Sequence, residues 1–335
     1  MGLGYKPVAY ISGPGSKIIN ANLMSFERVD ASGIKSDSLR LTVSVANDSG
    51  TPKEGAEITW FEGYEGNVVN KGTFKITRVV PQLFPPQITI VATAAPFVVD
   101  DKTEFKTKRS RSWENITFGD LFRAVVLPHG FSPRVDPELE SKSFEHVEQT
   151  DESDTAFLTR IARKHDAVAK PVDSMYVLAR KGKVKTITGQ SLPEVAIYRP
   201  YNNQPTTPGF SNAMVDKPSK QRFKGVKAKW LNQSTGEEDE IKSGSSPFKR
   251  LSSTYSSKAE AEADVEAELR KIDRTGRILK VDIPGDPLIV AEGIVVLGDS
   301  WPNDMAGRFS VDKVTARGGA NMAYRLSVDA TVPLE

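Results

Sequence analysis

The sequence predicts a β-rich α+β chain in which a small α/β segment separates two β-rich ones. Three observations carry that expectation. Leu39, Leu41, Val43 and Val45 alternate with Arg40, Thr42, Ser44 and Ala46, and Tyr324, Leu326, Val328, Ala330 and Val332 alternate in the same way far downstream. A two-residue period is that of a strand with one buried face. Turn clusters, among them Asn47-Asp48-Ser49-Gly50, Glu62-Gly63 and Pro85-Pro86, break up the alternation at the close spacing of a small barrel or sandwich. Helical spacing, by contrast, is confined to short stretches between residues 113 and 180 and to one stretch near 257–275.

In residues 1–97, Ile58–Trp60, Phe74–Ile76 and Ile88–Ile90 add further strands, and the polar run Asp30–Ser38 is expected to be a loop. Residues 98–112 contain DDKTEFKTKRSRS, with five basic residues and almost no apolar ones. Interleaved acids dilute that charge and no amphipathic helix accompanies it, so a solvated connector fits better than a nucleic-acid or membrane patch. Residues 113–180 are expected to form the α/β insert. Thr117 and Asp120 make an N-terminal cap, Leu121, Phe122, Val125 and Val126 share one helical face, and Pro128 ends the helix at Leu127.

The stretch Phe144–Ala169 then supplies the element on which the insert is organised. Asp151 is the expected N-cap, Asp154 the third helical residue, and Asp151, Glu152 and Asp154 lie where the helix dipole favours negative charge. Arg160, Arg163, Lys164 and His165 suit the other end. Phe157, Leu158, Ile161 and Ala162 give an apolar face over about four turns that another layer must cover. Val168-Ala169 and Met175–Ala179 are expected to be a hairpin. Beyond residue 181 the β pattern returns, at Ile278-Leu279, Leu288–Ala291, Ile294–Leu297 and Tyr324–Val332. One helix interrupts it: Ser257 and Glu260 form a capping box, Ala261, Val265, Leu269 and Ile272 share a face, and Gly276 stops it. Residues 199–222, with four prolines, are expected to be a long loop.

At 335 residues, 38% hydrophobic and 26% charged, the chain is long enough for two or three cores. Lys plus Arg number 45 against 43 Asp plus Glu, and a net charge of +2 argues against nucleic acid as the main partner. Absence of cysteine excludes disulfides and thiolate metal sites. The start MGLGYKPVAYISG has no signal-peptide pattern, and the apolar run Ile88–Val99 is about half the ~20 residues of a spanning helix. A cytoplasmic product without its own membrane segment is therefore expected.

Catalytic constellations are thin. The three histidines, His129, His146 and His165, include no pair at the i, i+4 metal spacing. His146 with Ser143 and Asp151 imitates a triad only in composition, and no nucleophile elbow is present; a packing or interface role fits it better. Gly13-Pro14-Gly15-Ser16-Lys17 lacks the full phosphate-loop spacing and suits a tight turn. Glu152 and Asp154 could be a carboxylate pair for glycoside cleavage, but capping accounts for both and their spacing points them apart. No catalytic, cofactor or metal residue is predicted.

His146, Glu148-Gln149-Thr150, Glu152-Ser153-Asp154, Phe157-Leu158, Arg160 and Ala162 together form a long pattern. Upstream of it stand Ser110-Arg111-Ser112-Trp113 and Thr117-Phe118-Gly119-Asp120-Leu121. In this order and spacing they resemble the signature of the late control D family, the tail hub proteins of contractile phages and R-type bacteriocins, and the hub part of type VI secretion spike proteins. The resemblance covers about residues 105–180. It implies two tail-tube-like β-barrels, residues 1–97 and 181–335, with the inserted α/β domain between them. It also implies a homotrimer with pseudo-sixfold barrels that joins a hexameric tail tube to a trimeric central spike. Baseplate wedge proteins and the tape measure protein are further implied partners, and the signature residues are structural. Only Pro333-Leu334-Glu335 follow the last alternating strand, so a separate spike polypeptide is expected. Assembly would take place in the host bacterial cytoplasm, before incorporation into the particle. The competing expectation is a tail-associated peptidoglycan hydrolase.

Overall fold

The computed structural model describes residues 6–32, 37–45, 52–94, 104–172, 175–180, 192, 194–199, 212–217, 223–232 and 234–333. Its helices are α1 (Ser16–Ala21), α2 (Phe118–Val126), α3 (Pro137–Glu140), α4 (Asp154–Lys164) and α5 (Lys258–Arg274). The remainder is dominated by strands, as the alternation predicts. Among the described residues no helix is long and apolar enough to cross a membrane. The chain divides into two compact units, one of residues 1–100, 190–215 and 279–330, the other of residues 101–189, 216–278 and 331–335.

The first unit is a single twelve-stranded sheet. Six strands come from early in the chain: Pro7–Ser12, Leu23–Ala31, Ser38–Ser44, Glu57–Tyr64, Asn67–Gln82 and Gln87–Ala94. The other six are Glu194–Ile197, Asn212–Asp216, Ile278–Pro284, Ile294–Leu297, Gly307–Gly319 and Met322–Thr331. The two sets meet where Lys313–Gly319 pairs antiparallel with Ser25–Ala31. Among the described residues no ladder closes either set into a barrel of its own; the strand Gly307–Gly319 instead serves both, pairing at its start with Ile294–Leu297. The alternating residues face one way. Leu39, Leu41 and Val43 lie in the same buried cluster as Leu326, Val328 and Ala330, so one apolar core is shared by strands from both ends of the chain.

Two expectations fail here. Leu288–Ala291 is a turn and not a strand, because Asp286 Oδ1 accepts from Leu288 N at 2.9 Å and its carbonyl from Ile289 N at 3.2 Å, a local closure typical of Asp before Pro. Within the expected loop 199–222, residues 200–211 and 218–222 lie outside the described residues, and Asn212–Asp216 is a strand at one end of the sheet order.

In the second unit, Lys108–Thr117 pairs antiparallel with Ser143–Ser153. The basic run from Lys108 is therefore a strand rather than a connector, and carboxylates answer its cations: Lys108 pairs with Asp151 at 2.9 Å and Arg111 with Asp154. Ala167–Val172 and Met175–Arg180 form the expected hairpin, with Ser132–Val135 parallel to the latter. Thr117 caps α2, which gives way to a short 3-10 turn at Leu127–His129 containing Pro128. A third sheet places Lys224–Asn232 between Glu237–Ser245 and Phe248–Tyr255. The α5 helix covers it, with Ala261 and Val265 buried against Val226, Ala228 and Tyr255, and Ser257 as the predicted cap.

Candidate functional site: the buried Asp154 cluster

The signature residues converge on the start of α4, although not as the cap they were expected to form. Asp151 is not the N-cap. It has φ +48° within a β-bulge, where the Lys108–Thr117 ladder slips between Arg109 and Arg111. Asp tolerates that left-handed conformation better than most residues. The cap is Ser153, whose Oγ accepts from Ala156 N at 3.3 Å. Helix α4 is consequently eleven residues long, about three turns rather than four. Glu152 belongs to the preceding strand, and Asp154 is the first helical residue.

The bulge aims Glu152 and Asp154 in different directions. The Asp154 side chain is 1% exposed. Its Oδ1 accepts from Gln149 Nε2 at 2.7 Å and from Arg111, and its Oδ2 meets His129 Nε2 at 2.8 Å. Arg109 approaches the same carboxylate at 3.8 Å. Gln149 ties the group together, because its Oε1 accepts from Arg111 Nε at 2.9 Å while its Nε2 also donates to the Glu152 carbonyl. Glu152 instead pairs with Arg160, which also donates to the Glu148 carbonyl at 2.6 Å. A column of rings and guanidinium groups connects the two arginines: Arg111 lies 5.1 Å over Trp113, Trp113 stacks on Phe157 at 5.2 Å, and Arg160 lies 5.4 Å from the Phe157 ring. Such contacts add cation–π attraction to apolar burial.

The rest of the signature is mixed. Phe157, Leu158, Ile161 and Ala162 are fully buried, as their spacing predicts. Thr150 is exposed, and so is His146, whose Nε2 lies 3.0 Å from Glu148 Oε1. Its strand partner is Glu114, and Asp151 pairs instead with Lys108, so no triad forms around His146. Among the described residues no group of three or more His, Asp and Glu side chains is placed to hold a metal ion. The cluster is built to hold a strand and a helix in register: Arg111, Gln149 and Asp154 answer one another, and His129 reaches Asp154 through Nε2 while its Nδ1 is buried without a hydrogen-bond partner.

Sequence reasoning missed two other buried networks. In the second unit, Arg274 donates to both Asp166 oxygens, at 3.2 and 2.6 Å. His165 beside it packs between Phe118 and Phe144. Burial, followed by the positive charges of Lys142, Arg270, Lys164 and Arg180, pushes the imidazole down from 6.5 to about 4. The native state thus binds fewer protons than the unfolded one between those values. Stability should therefore fall as pH is lowered from about 6.5 towards 4, by at most roughly 3 kcal/mol from this group. Denaturant melts at several pH values should show the wild-type curve converging on that of His165→Gln as the medium is acidified, whereas parallel curves would refute this assignment.

In the first unit, Glu62 is fully buried. It accepts from Arg28 at 3.1 and 2.7 Å, from Trp60 Nε1 at 2.8 Å and from Tyr324 Oη at 3.0 Å. Burial opposes its charge, but the Arg28 ion pair and the donors outweigh that and hold the carboxyl below the usual range. Gly285 allows Tyr324 to come this close, because a Cβ there would lie 2.0 Å from the ring. Tyr64 Oη donates to the Gly285 carbonyl at 2.9 Å and Lys71 to that of Pro287.

No family model matches the sequence. Two phage proteins do: the "Probable baseplate hub protein" of Escherichia phage P2, 28% identical over 216 residues, and that of Escherichia phage 186, 26% over 212. The chain is similar in sequence to these two phage proteins. The matches cover 64% and 63% of the chain, which spans about half the length of these relatives, 53% and 51%. Solved structures show the same fold. A 43 kDa tail protein of prophage MuSo2 from Shewanella oneidensis matches with TM-score 0.68 and 13% identity, over 98% of this chain and 99% of its own. A tail protein from Neisseria meningitidis gives 0.66 and 13%, over 98% and 97%. An Escherichia coli component of the type VI secretion system, described as similar to phage T4 tail proteins, gives 0.58 and 11%, over 98% and 77%. A β-rich fold shared with phage tail proteins is thereby shown.

Proposed function

We propose that this chain is the structural baseplate hub of a contractile injection tail. The observation that carries this is its sequence relationship to two phage proteins named as baseplate hubs, to which the fold likeness with tail proteins adds support. In this reading the protein is a homotrimer. The six early and six late strands supply two tube-like modules per chain, so three copies present six to a hexameric tail tube. The second unit, residues 101–189 with 216–278 and so wider than the 113–180 expected, acts as the inserted domain, and the signature residues Trp113, Gln149, Glu152, Ser153, Asp154, Phe157, Leu158, Arg160 and Ala162 fix the geometry around α4. The trimer's other face receives a trimeric spike, with wedge proteins outside and the tape measure protein reaching the lumen. The role is not enzymatic: Glu152 and Asp154 are each engaged by side chains of the fold itself, as a scaffold requires.

Light scattering on the chain with its tube and spike proteins should give about 110 kDa for the hub, three times 36.7 kDa. A chain that stays monomeric in their presence would overturn the proposal.

A further inference from the structure

The strand Pro7–Ser12 ends the order of the twelve-stranded sheet. It pairs with Glu57–Tyr64, and among the described residues no strand lies on its other side. Glu65 N donates to the Lys6 carbonyl at 2.9 Å, so Lys6 faces the partner strand, and antiparallel alternation turns the backbone groups of Pro7, Ala9 and Ile11 outward. A bare row of this kind is a template for strand addition. Here it is mostly occupied. Pro7 has no N–H to offer. Ile11 N donates to Asn20 Oδ1 at 2.8 Å, and Asn20 Nδ2 donates to the Ile11 carbonyl at 2.8 Å. Of the three, Ala9 alone presents a donor and an acceptor that Asn20 leaves uncovered.

The fold holds Asn20 in place for this contact. A side-chain amide has an acceptor and donors on a short stem, the complement of one residue's outward N–H and C=O. Gly13-Pro14-Gly15 turns α1 back over the strand edge. Gly13 has φ +123°, where a Cβ would lie 2.8 Å from the Glu57 carbonyl oxygen, and Gly15 has φ +76°, conformations that glycine adopts without strain. Ser16 N closes the turn on the Gly13 carbonyl at 3.2 Å. Within and just after the helix, Ile19 sinks into the core and the Asn22 carbonyl accepts from Ser44 N at 2.9 Å. A helix of six residues has little stability of its own, so these anchors fix the amide.

We propose that Asn20 is an edge guard, which keeps a second copy of this chain from adding its own Pro7–Ser12 strand to this sheet. The pairing that it blocks is definite. Two antiparallel copies centred on Ala9 would exchange bonds between the two Ala9 residues, and Ile11 N of each would reach the Pro7 carbonyl of the other. Asn20 removes the outer bonds. Chains joined in this way are related by a two-fold axis, which a cyclic three-membered ring does not contain, so each such pair would be lost to a threefold assembly. That last consequence rests on the hub proposal, and the guard itself does not.

The test compares full-length wild type, Asn20→Ala and Asn20→Leu by sedimentation velocity over a wide concentration range. Asn20 is half-buried and both replacements are better helix formers, so α1 should keep its place, and thermal melts check that each variant folds. Both variants should double the wild-type species at a concentration at least about ten-fold below any at which wild type does so. Hydrogen exchange at Ile11 should be faster than in wild type at low concentration and slow again as association sets in. Adding Ala9→Pro, which gives up only an outward N–H, should return association to the wild-type level. Folded variants that sediment as wild type, association that survives Ala9→Pro, or exchange at Ile11 that is indifferent to Asn20 would each overturn the guard. A wild-type chain that stays monomeric with its tube and spike proteins would sink the hub proposal instead, and would leave these comparisons unchanged.

Discussion

Asp154→Ala is expected to destabilise the protein by ~3–5 kcal/mol, the cost of leaving buried charges without their counter-ion. Arg111, Gln149 and His129 would all lose the same acceptor. Glu152→Gln is the informative comparison. Its ion pair with Arg160 is partly exposed, at 19% and 42%, and pairs of that kind contribute ~0–1 kcal/mol. Urea unfolding of the two variants should therefore separate them several-fold. Equal losses would mean that both residues act as helix-end charges only, and that the Asp154 cluster has no special weight.

A loss of similar size, ~3–5 kcal/mol, is expected from Glu62→Ala, which strands the Arg28 guanidinium with Trp60 and Tyr324 donors around an empty site. Replacing the pair together, Arg28→Met with Glu62→Leu, removes the unpaired guanidinium and should recover part of that loss, the remainder being the partners that Asp30, 3.5 Å from Arg28, and the Trp60 and Tyr324 donors still lose. The double-mutant cycle is the measurement. Additive losses would show that Arg28 and Glu62 do not act as a pair.

Much of the fold was legible wherever a local rule governs it. Alternation located the strands around Leu39–Val43 and Leu326–Ala330, and the caps Thr117 and Ser257 were placed correctly because capping depends on four neighbouring residues. Asp151 was misplaced because an acid before an amphipathic run satisfies the capping rule equally well as a bulge residue. Only the partner strand, with its slip opposite Ser110, decides between them. The same holds for Lys108–Ser112, whose charges look solvated until Asp151 and Asp154 are set across from them. Arg28, Glu62 and Tyr324 gave no signal at all. Tyr324 and Glu62 are 262 positions apart, and a buried ion pair has no period. The signature itself was visible, yet which of its members are buried anchors and which are exposed was not.

The pairing of Ser25–Ala31 with Lys313–Gly319 has a consequence for synthesis. The early strand has one neighbour, Ser38–Ser44, within a few residues, but its other edge waits until position 313 is made, 313 − 31 = 282 residues later. At ~5–20 residues per second that is roughly a quarter of a minute to a minute in which an open strand edge is offered to any other chain. Long-range pairing of this kind also slows folding once the chain is released. Nascent chains growing side by side on one message therefore face a choice between waiting for their own late strand and borrowing a neighbour's.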